Sequence, residues 1–225
     1  VPWLAGPRSG FLSAFEHFWN SWASRRSDVV VIVCGSAASW MVKELLHARG
    51  GLHNRVTRHI RLAPFTLDET RRYLASRRVE LEDYQVLELY MALGGIPHYL
   101  KDIQRGESAA QCIDRVCFSS AGLLRDEFSR VYSSLFDDAG RHERVIRALA
   151  SRRDGLTRNE LLAITGLPTG GWTTEVLGEL EASGFVMRTA QFGRETKDVV
   201  YRVADEHSLF HLRWIEKHRG RAEGT

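Results

Sequence analysis

The feature that most constrains the fold is a run without a single polar residue. Val29-Val30-Val31-Ile32-Val33-Cys34 is β-branched at five of its six positions and lacks the alternation of a strand with one wet face. Branching at Cβ favours extended backbone, and a continuous apolar run suits a strand covered on both faces, as at the centre of a parallel sheet. Gly35-Ser36 ends the run. Upstream, Phe11, Phe15, Phe18, Trp19 and Trp22 recur at spacings of three and four, which places them on one face of a helix. Downstream, residues 37–47 read as a helix stopped by Gly50-Gly51, and residues 56–62 as a second strand with Ile60 and Leu62 on one side. Helix, buried strand, helix, strand is one edge of an α/β sheet and too little for a whole one. The opening Val1-Pro2-Trp3-Leu4 is apolar where chain ends are usually polar, so a further strand is expected ahead of it.

From Thr66 onward the pattern turns helical. Thr66 and Glu69 have capping-box spacing, a helix covers about residues 82–93, and Gly94-Gly95 closes it before Pro97 opens a short one. Ser108 can cap a helix carrying Cys112, Ile113, Val116 and Cys117, and another spans about residues 123–136. The last third differs again. Residues 141–150 are helical, Thr157 and Glu160 form a second capping box, and Gly166-Leu167-Pro168 turns into a helix over 172–183. Residues 185–192 then face 199–203 across a turn at 193–198. Three short helices followed by a hairpin is the order of a winged helix-turn-helix. The expected divisions are 1–65, an α/β piece; 66–136, a helical bundle; 137–205, the winged helix; and 206–225, a C-terminal helix and tail. The fold class is mainly α with an α/β part.

Composition removes several alternatives. With 44% hydrophobic and 26% charged residues the 225-residue chain can bury a core. Its net charge of +3 permits an acidic partner without demanding one. No apolar run approaches the ~20 residues of a membrane-spanning helix, so no membrane partner is expected. Cys34, Cys112 and Cys117 are too few for a disulfide framework or a four-cysteine zinc site, which points to the reducing cytoplasm. His207 and His211 stand four apart but have no third ligand at metal-site spacing. Glu195-Thr196-Lys197 lacks the partner carboxylate of a nuclease site, and no nucleophile elbow occurs. A phosphate-cradling loop of the form G-x-x-x-x-G-K-[ST] is also absent: none of the four lysines stands in that frame.

Over about residues 1–205 the order of these pieces nevertheless resembles the prokaryotic AAA+/STAND-type ATPases, the archaeal-ATPase relatives, in the part downstream of the Walker B strand. The resemblance implies a partial parallel sheet of the P-loop NTPase type, a helical lid and a winged helix. It implies ATP and Mg as cofactors of a complete protein, not of this stretch alone. Ser36, after the buried strand, matches the sensor-1 position, and Arg55 in Asn54-Arg55-Val56-Thr57-Arg58 matches the arginine-finger position, with Arg58 and Arg61 as rivals. Those two would be the catalytic residues. Gly94-Gly95-Ile96-Pro97 resembles the lid motif, which makes Gly95 and Pro97 the nucleotide-facing pair.

In the winged helix, Thr169, Trp172, Thr173 and Thr174 open the recognition helix, and Arg188, Arg194 and Lys197 decorate the hairpin. Hydroxyls and basic groups so placed suit duplex DNA. Residues 141–205 hold ten Arg/Lys against nine Asp/Glu, however, which leaves a protein partner equally open. Two functions follow: a nucleotide-dependent switch coupled to DNA or a protein, or a non-enzymatic winged-helix regulator whose helical part forms a homo-oligomer.

Overall fold

A computed structural model describes residues 4–6, 8–36, 38–41, 55–190 and 199–222. The chain divides into two units, Val1–Arg61 and Leu62–Thr225.

In the first unit, helix α1 (Phe11–Ser21) begins behind Gly10, which takes the left-handed conformation at φ 63. The predicted aromatic face is real. Phe11, Phe15, Phe18 and Trp22 form a ladder with ring centroids 6.0, 6.5 and 5.4 Å apart. Arg26 lies over Trp22 and clamps Asp28 with two bonds of 2.9 and 2.5 Å. A short helix α2 (Ala38–Met41) follows, and the remainder of the helix expected over 37–47 lies outside the described residues.

The two strands expected here are not formed. Residues 29–34 and 56–62 have no strand pairing among the described residues. Val30 is 84% exposed and Ile32 85%. The reason is physical: an unalternating apolar run specifies a strand that something covers on both faces, but does not itself supply the cover or the backbone partners.

The second unit holds the helices α3 (Leu67–Ser76), α4 (Asp83–Leu93), α5 (Pro97–Leu100), α6 (Ala109–Ile113), α7 (Glu127–Leu135) and α8 (Ala139–Ala150). Strand β1 (Leu156–Thr157), helices α9 (Arg158–Thr165) and α10 (Gly171–Ala182), and strands β2 (Val186–Ala190) and β3 (Val199–Val203) follow, then α11 (Glu206–Phe210) and α12 (Glu216–Ala222). The strands form an antiparallel sheet in the order β1-β3-β2, with Val186 opposite Val203 and Leu156 opposite Tyr201. Side-chain caps start the helices where expected: Thr66 with Glu69, Ser108 with Gln111 and Thr157 with Glu160 each make a full capping box.

Two apolar cores fill this unit. One gathers Leu74, Leu89, Leu93, Leu100 and Cys117, and the other Phe128, Tyr132, Ile146, Leu161 and Leu180. Helix α7, expected with the bundle over 66–136, gives Phe128, Tyr132 and Phe136 to the second core, so the packing changes hands between Leu124 and Phe128. The C-terminal helix, expected over 206–225 with a tail, joins the two. Ile215 is buried in the first core while Leu212 packs on the second. Ser208 shares a 3.1 Å hydrogen bond with Tyr132, and the His207 ring stands 3.3 Å from the Ala92 carbonyl.

Candidate functional site

Ser36 and Arg55 belong to the first unit and both are exposed. Gly95 and Pro97 belong to the second. Gly94 ends α4 at φ 67, and a Cβ there would come 3.3 Å from a Glu206 carboxylate oxygen. Gly95 is more tightly enclosed. A Cβ on it would fall 1.9 Å from the Phe65 carbonyl oxygen, and its own carbonyl accepts a 2.7 Å hydrogen bond from the Phe65 amide. The glycine expected to face a nucleotide is buried against the chain's own backbone. The need for a bare Cα was legible in the sequence; the occupant was not. Pro97 stands at the first turn of α5, exposed, where its missing N–H costs nothing.

Among the described residues no three His, Cys, Asp or Glu side chains are grouped to hold a metal ion. Phe65 thus occupies the space that the bare Cα of Gly95 leaves.

The start of α10 is built more rigidly than its sequence suggested. Arg158 reaches back to the carbonyls of Thr169 and Gly170 at 3.0 and 3.3 Å, pinning the turn. Thr173 is fully buried, its hydroxyl donating 2.7 Å to the Pro168 carbonyl, so it cannot reach a duplex. It was expected on the outer face because a threonine at a helix start usually stays wet; here the tight Leu167-Pro168 turn needs its hydroxyl. Trp172 is half-buried, with the Arg141 guanidinium 4.4 Å from its ring centroid. Thr169 and Thr174 are exposed, and exposed Arg188 lies 3.5 Å from Glu181. Arg194 and Lys197 lie outside the described residues.

Sequence reasoning underrated the histidines. His142 joins α8 to α10: its ring stacks on Phe136 at 3.9 Å, with Nε2 2.8 Å from Glu179 and Nδ1 2.9 Å from the Asp138 carbonyl. His207 and His211 are buried, and burial pushes both imidazoles down, His211 to about 4. Tyr99 donates to Glu127 at 3.1 Å, and its phenol is held above its ordinary range by burial first and by that carboxylate second. Cys112 and Cys117 are buried thiols raised to about 11 and about 12 by burial, far from the reactive thiolate range.

No family model matches the sequence, and no curated protein matches it. The solved structure of the Walker-type ATPase PABY2304 of Pyrococcus abyssi is similar, with TM-score 0.62 and 19% identity over 92% of this chain. The chain shares the fold of the matched part of that protein. It spans 59% of the length of that ATPase. Among the described residues no helix is long and apolar enough to cross a membrane.

Proposed function

We propose that this chain is the part of an AAA+/STAND-like ATPase downstream of its phosphate-binding strands, and that it turns a nucleotide state into a conformational signal for a partner. The observation that carries the reading is the fold similarity to a Walker-type ATPase over 92% of the chain, reached at 19% identity. The missing phosphate loop agrees with it, since the match leaves about two-fifths of the similar protein without a counterpart. In this reading Ser36 and Arg55, exposed on the first unit, are the groups this part contributes toward a transferring phosphate, and α3–α6 is the lid.

Residues 137–205 then form a winged helix, supported by the helix–strand–helix–helix–strand–strand order and the β1-β3-β2 sheet. A protein partner is favoured over DNA on this face. Among the described residues Thr173 is spent on Pro168, Trp172 is engaged by Arg141 and Arg188 is beside Glu181, which leaves Thr169 and Thr174 of the expected contact groups open to bases and phosphates.

The test has two parts. This chain alone should bind ATP–Mg no tighter than about millimolar, because backbone amides and lysine supply most of a phosphate site. The longest natural polypeptide containing it should hydrolyse ATP, and Arg55→Ala should cut turnover at least tenfold with little change in nucleotide affinity. Micromolar binding by the short chain, or no hydrolysis by the long one, refutes the reading. Anisotropy of a random duplex at about 50 mM salt decides the partner: retention with a log K versus log[salt] slope of about −3 would restore DNA.

A further inference from the structure

The second unit carries an open groove of about 620 Å³ between α4, α6 and α11. Its walls share an uncommon backbone. Residues Asp114–Phe118 and His211–Ile215 are both π-helical, and the groove takes Asp114 and Phe118 from the first and Arg213 and Trp214 from the second. A π turn adds a residue and weakens the helix ladder, and it recurs where a helix must aim side chains at a ligand.

The groove's side chains agree with that. Met91 is 63% exposed and Trp214 62%, whereas Leu89, two residues from the first, and Ile215, next to the second, are sealed in the core. With Ile113, Phe118 and Phe210 they give an apolar floor and rim. Charge is distributed one way. Glu88, Asp114 and Glu206 face a single cation, Arg213, and none of the three carboxylates forms an ion pair with a described residue. Burial already holds the Glu206 carboxyl above its ordinary range, as expected of an acid awaiting a cation in an apolar wall.

We infer that this groove docks an amphipathic helix of a partner protein, its apolar stripe on Met91, Phe118 and Trp214 and its lysines or arginines against Glu88, Asp114 and Glu206. Three helices bordering a shallow apolar trough match the helix-in-groove mode, read by residues spaced three and four apart. The acidic rim selects the sign of the partner and excludes an acidic helix. That choice runs against the protein's own net charge of +3, which by itself would attract an anionic helix. The inference stands apart from the winged-helix face and from any nucleotide.

The probe is a fluorescein-labelled helical peptide of leucine and lysine, compared with its leucine–glutamate counterpart by anisotropy on the intact chain. The basic peptide should bind at least tenfold tighter. Trp214→Ala should weaken it about tenfold, the size of a central aromatic anchor. Glu88→Gln with Asp114→Asn should weaken it several-fold and flatten its salt dependence, while Tyr84→Ala, exposed on α4 outside the groove, should leave it unchanged. None of the substituted positions is buried in a core, so the fold should be kept, which circular dichroism checks. Equal affinity for the two peptides, no binding of the basic one at about millimolar, or indifference to Trp214→Ala overturns the proposal, and none of these outcomes bears on ATP hydrolysis by the longer polypeptide.

Discussion

The two units use similar apolar sequence to opposite ends. Residues 29–34 are as β-rich as any stretch of the chain, yet Val30 and Ile32 stand in solvent. In the second unit the shorter, mixed run Val199–Val203 makes the central strand of a sheet, with Val200 buried and partners on both sides. Composition favours the first and context the second. A strand's stability comes from cross-strand pairs and covered faces more than from backbone preference, and only β3 has them.

This contrast can be broken most forcefully by truncation. Leu89→Ala, at a fully buried position of the first core, should cost about 2–5 kcal/mol in chemical denaturation. Ile32→Ala should stay within about 0.5 kcal/mol, as surface changes do. A comparable loss at Ile32 would mean that something covers residues 29–34 in solution.

Acid should act next, through the buried histidines of the second unit. His207 and His211 are buried with lowered pKa, the second at about 4, whereas unfolded imidazole titrates near 6.5. Between those values the unfolded chain binds protons that the folded one refuses, so stability present above pH 6.5 is lost as pH falls toward 4. Glu206, raised by burial, works in the opposite sense above 4.5. Melting temperature should therefore drop from pH 7 to pH 5, and His211→Gln should make the drop shallower. An unchanged pH slope in that variant would show that His211 is not a source of it.

Caps sharpen the comparison further. Thr157→Ala removes the hydroxyl that accepts from the Glu160 amide and should cost about 1 kcal/mol.

The smallest effect concerns two helix ends built alike. After α10, Gly184 sits at φ 85, with its amide bonded to Glu181 and the Phe185 amide to Leu180. After α3 the same pair of bonds joins Arg78 to Ala75 and Val79 to Leu74, but Arg78 must hold φ 60 without glycine's freedom. Arg78→Gly should stabilise by about 0.5–1 kcal/mol, the left-handed penalty less the entropy glycine adds. A destabilised Arg78→Gly would mean that the arginine's contacts outweigh its backbone strain.

Legibility in the sequence followed interaction range. Capping boxes at Thr66, Ser108 and Thr157, the glycine stop at Gly184 and the pairing of Val186–Ala190 with Val199–Val203 depend on neighbours a few residues apart or on one hairpin, so spacing alone exposes them. The candidate site was less legible. Thr173 looked like a contact residue because its burial depends on the Pro168 carbonyl folding back over it. Gly95 looked like a ligand cradle because a bare Cα says that something comes close, not that it is Phe65.

What the sequence determined by itself is therefore the kind and limits of the helices and the hairpin, along with the absence of a phosphate loop. Tertiary structure decided which apolar faces are covered, that the C-terminal helix joins two cores through Ser208 and Ile215, and that two π turns open a groove beside Trp214. The division is physical. Hydrogen-bond caps and turn conformations are local properties of the chain, whereas burial belongs to pairs of surfaces that the sequence places far apart.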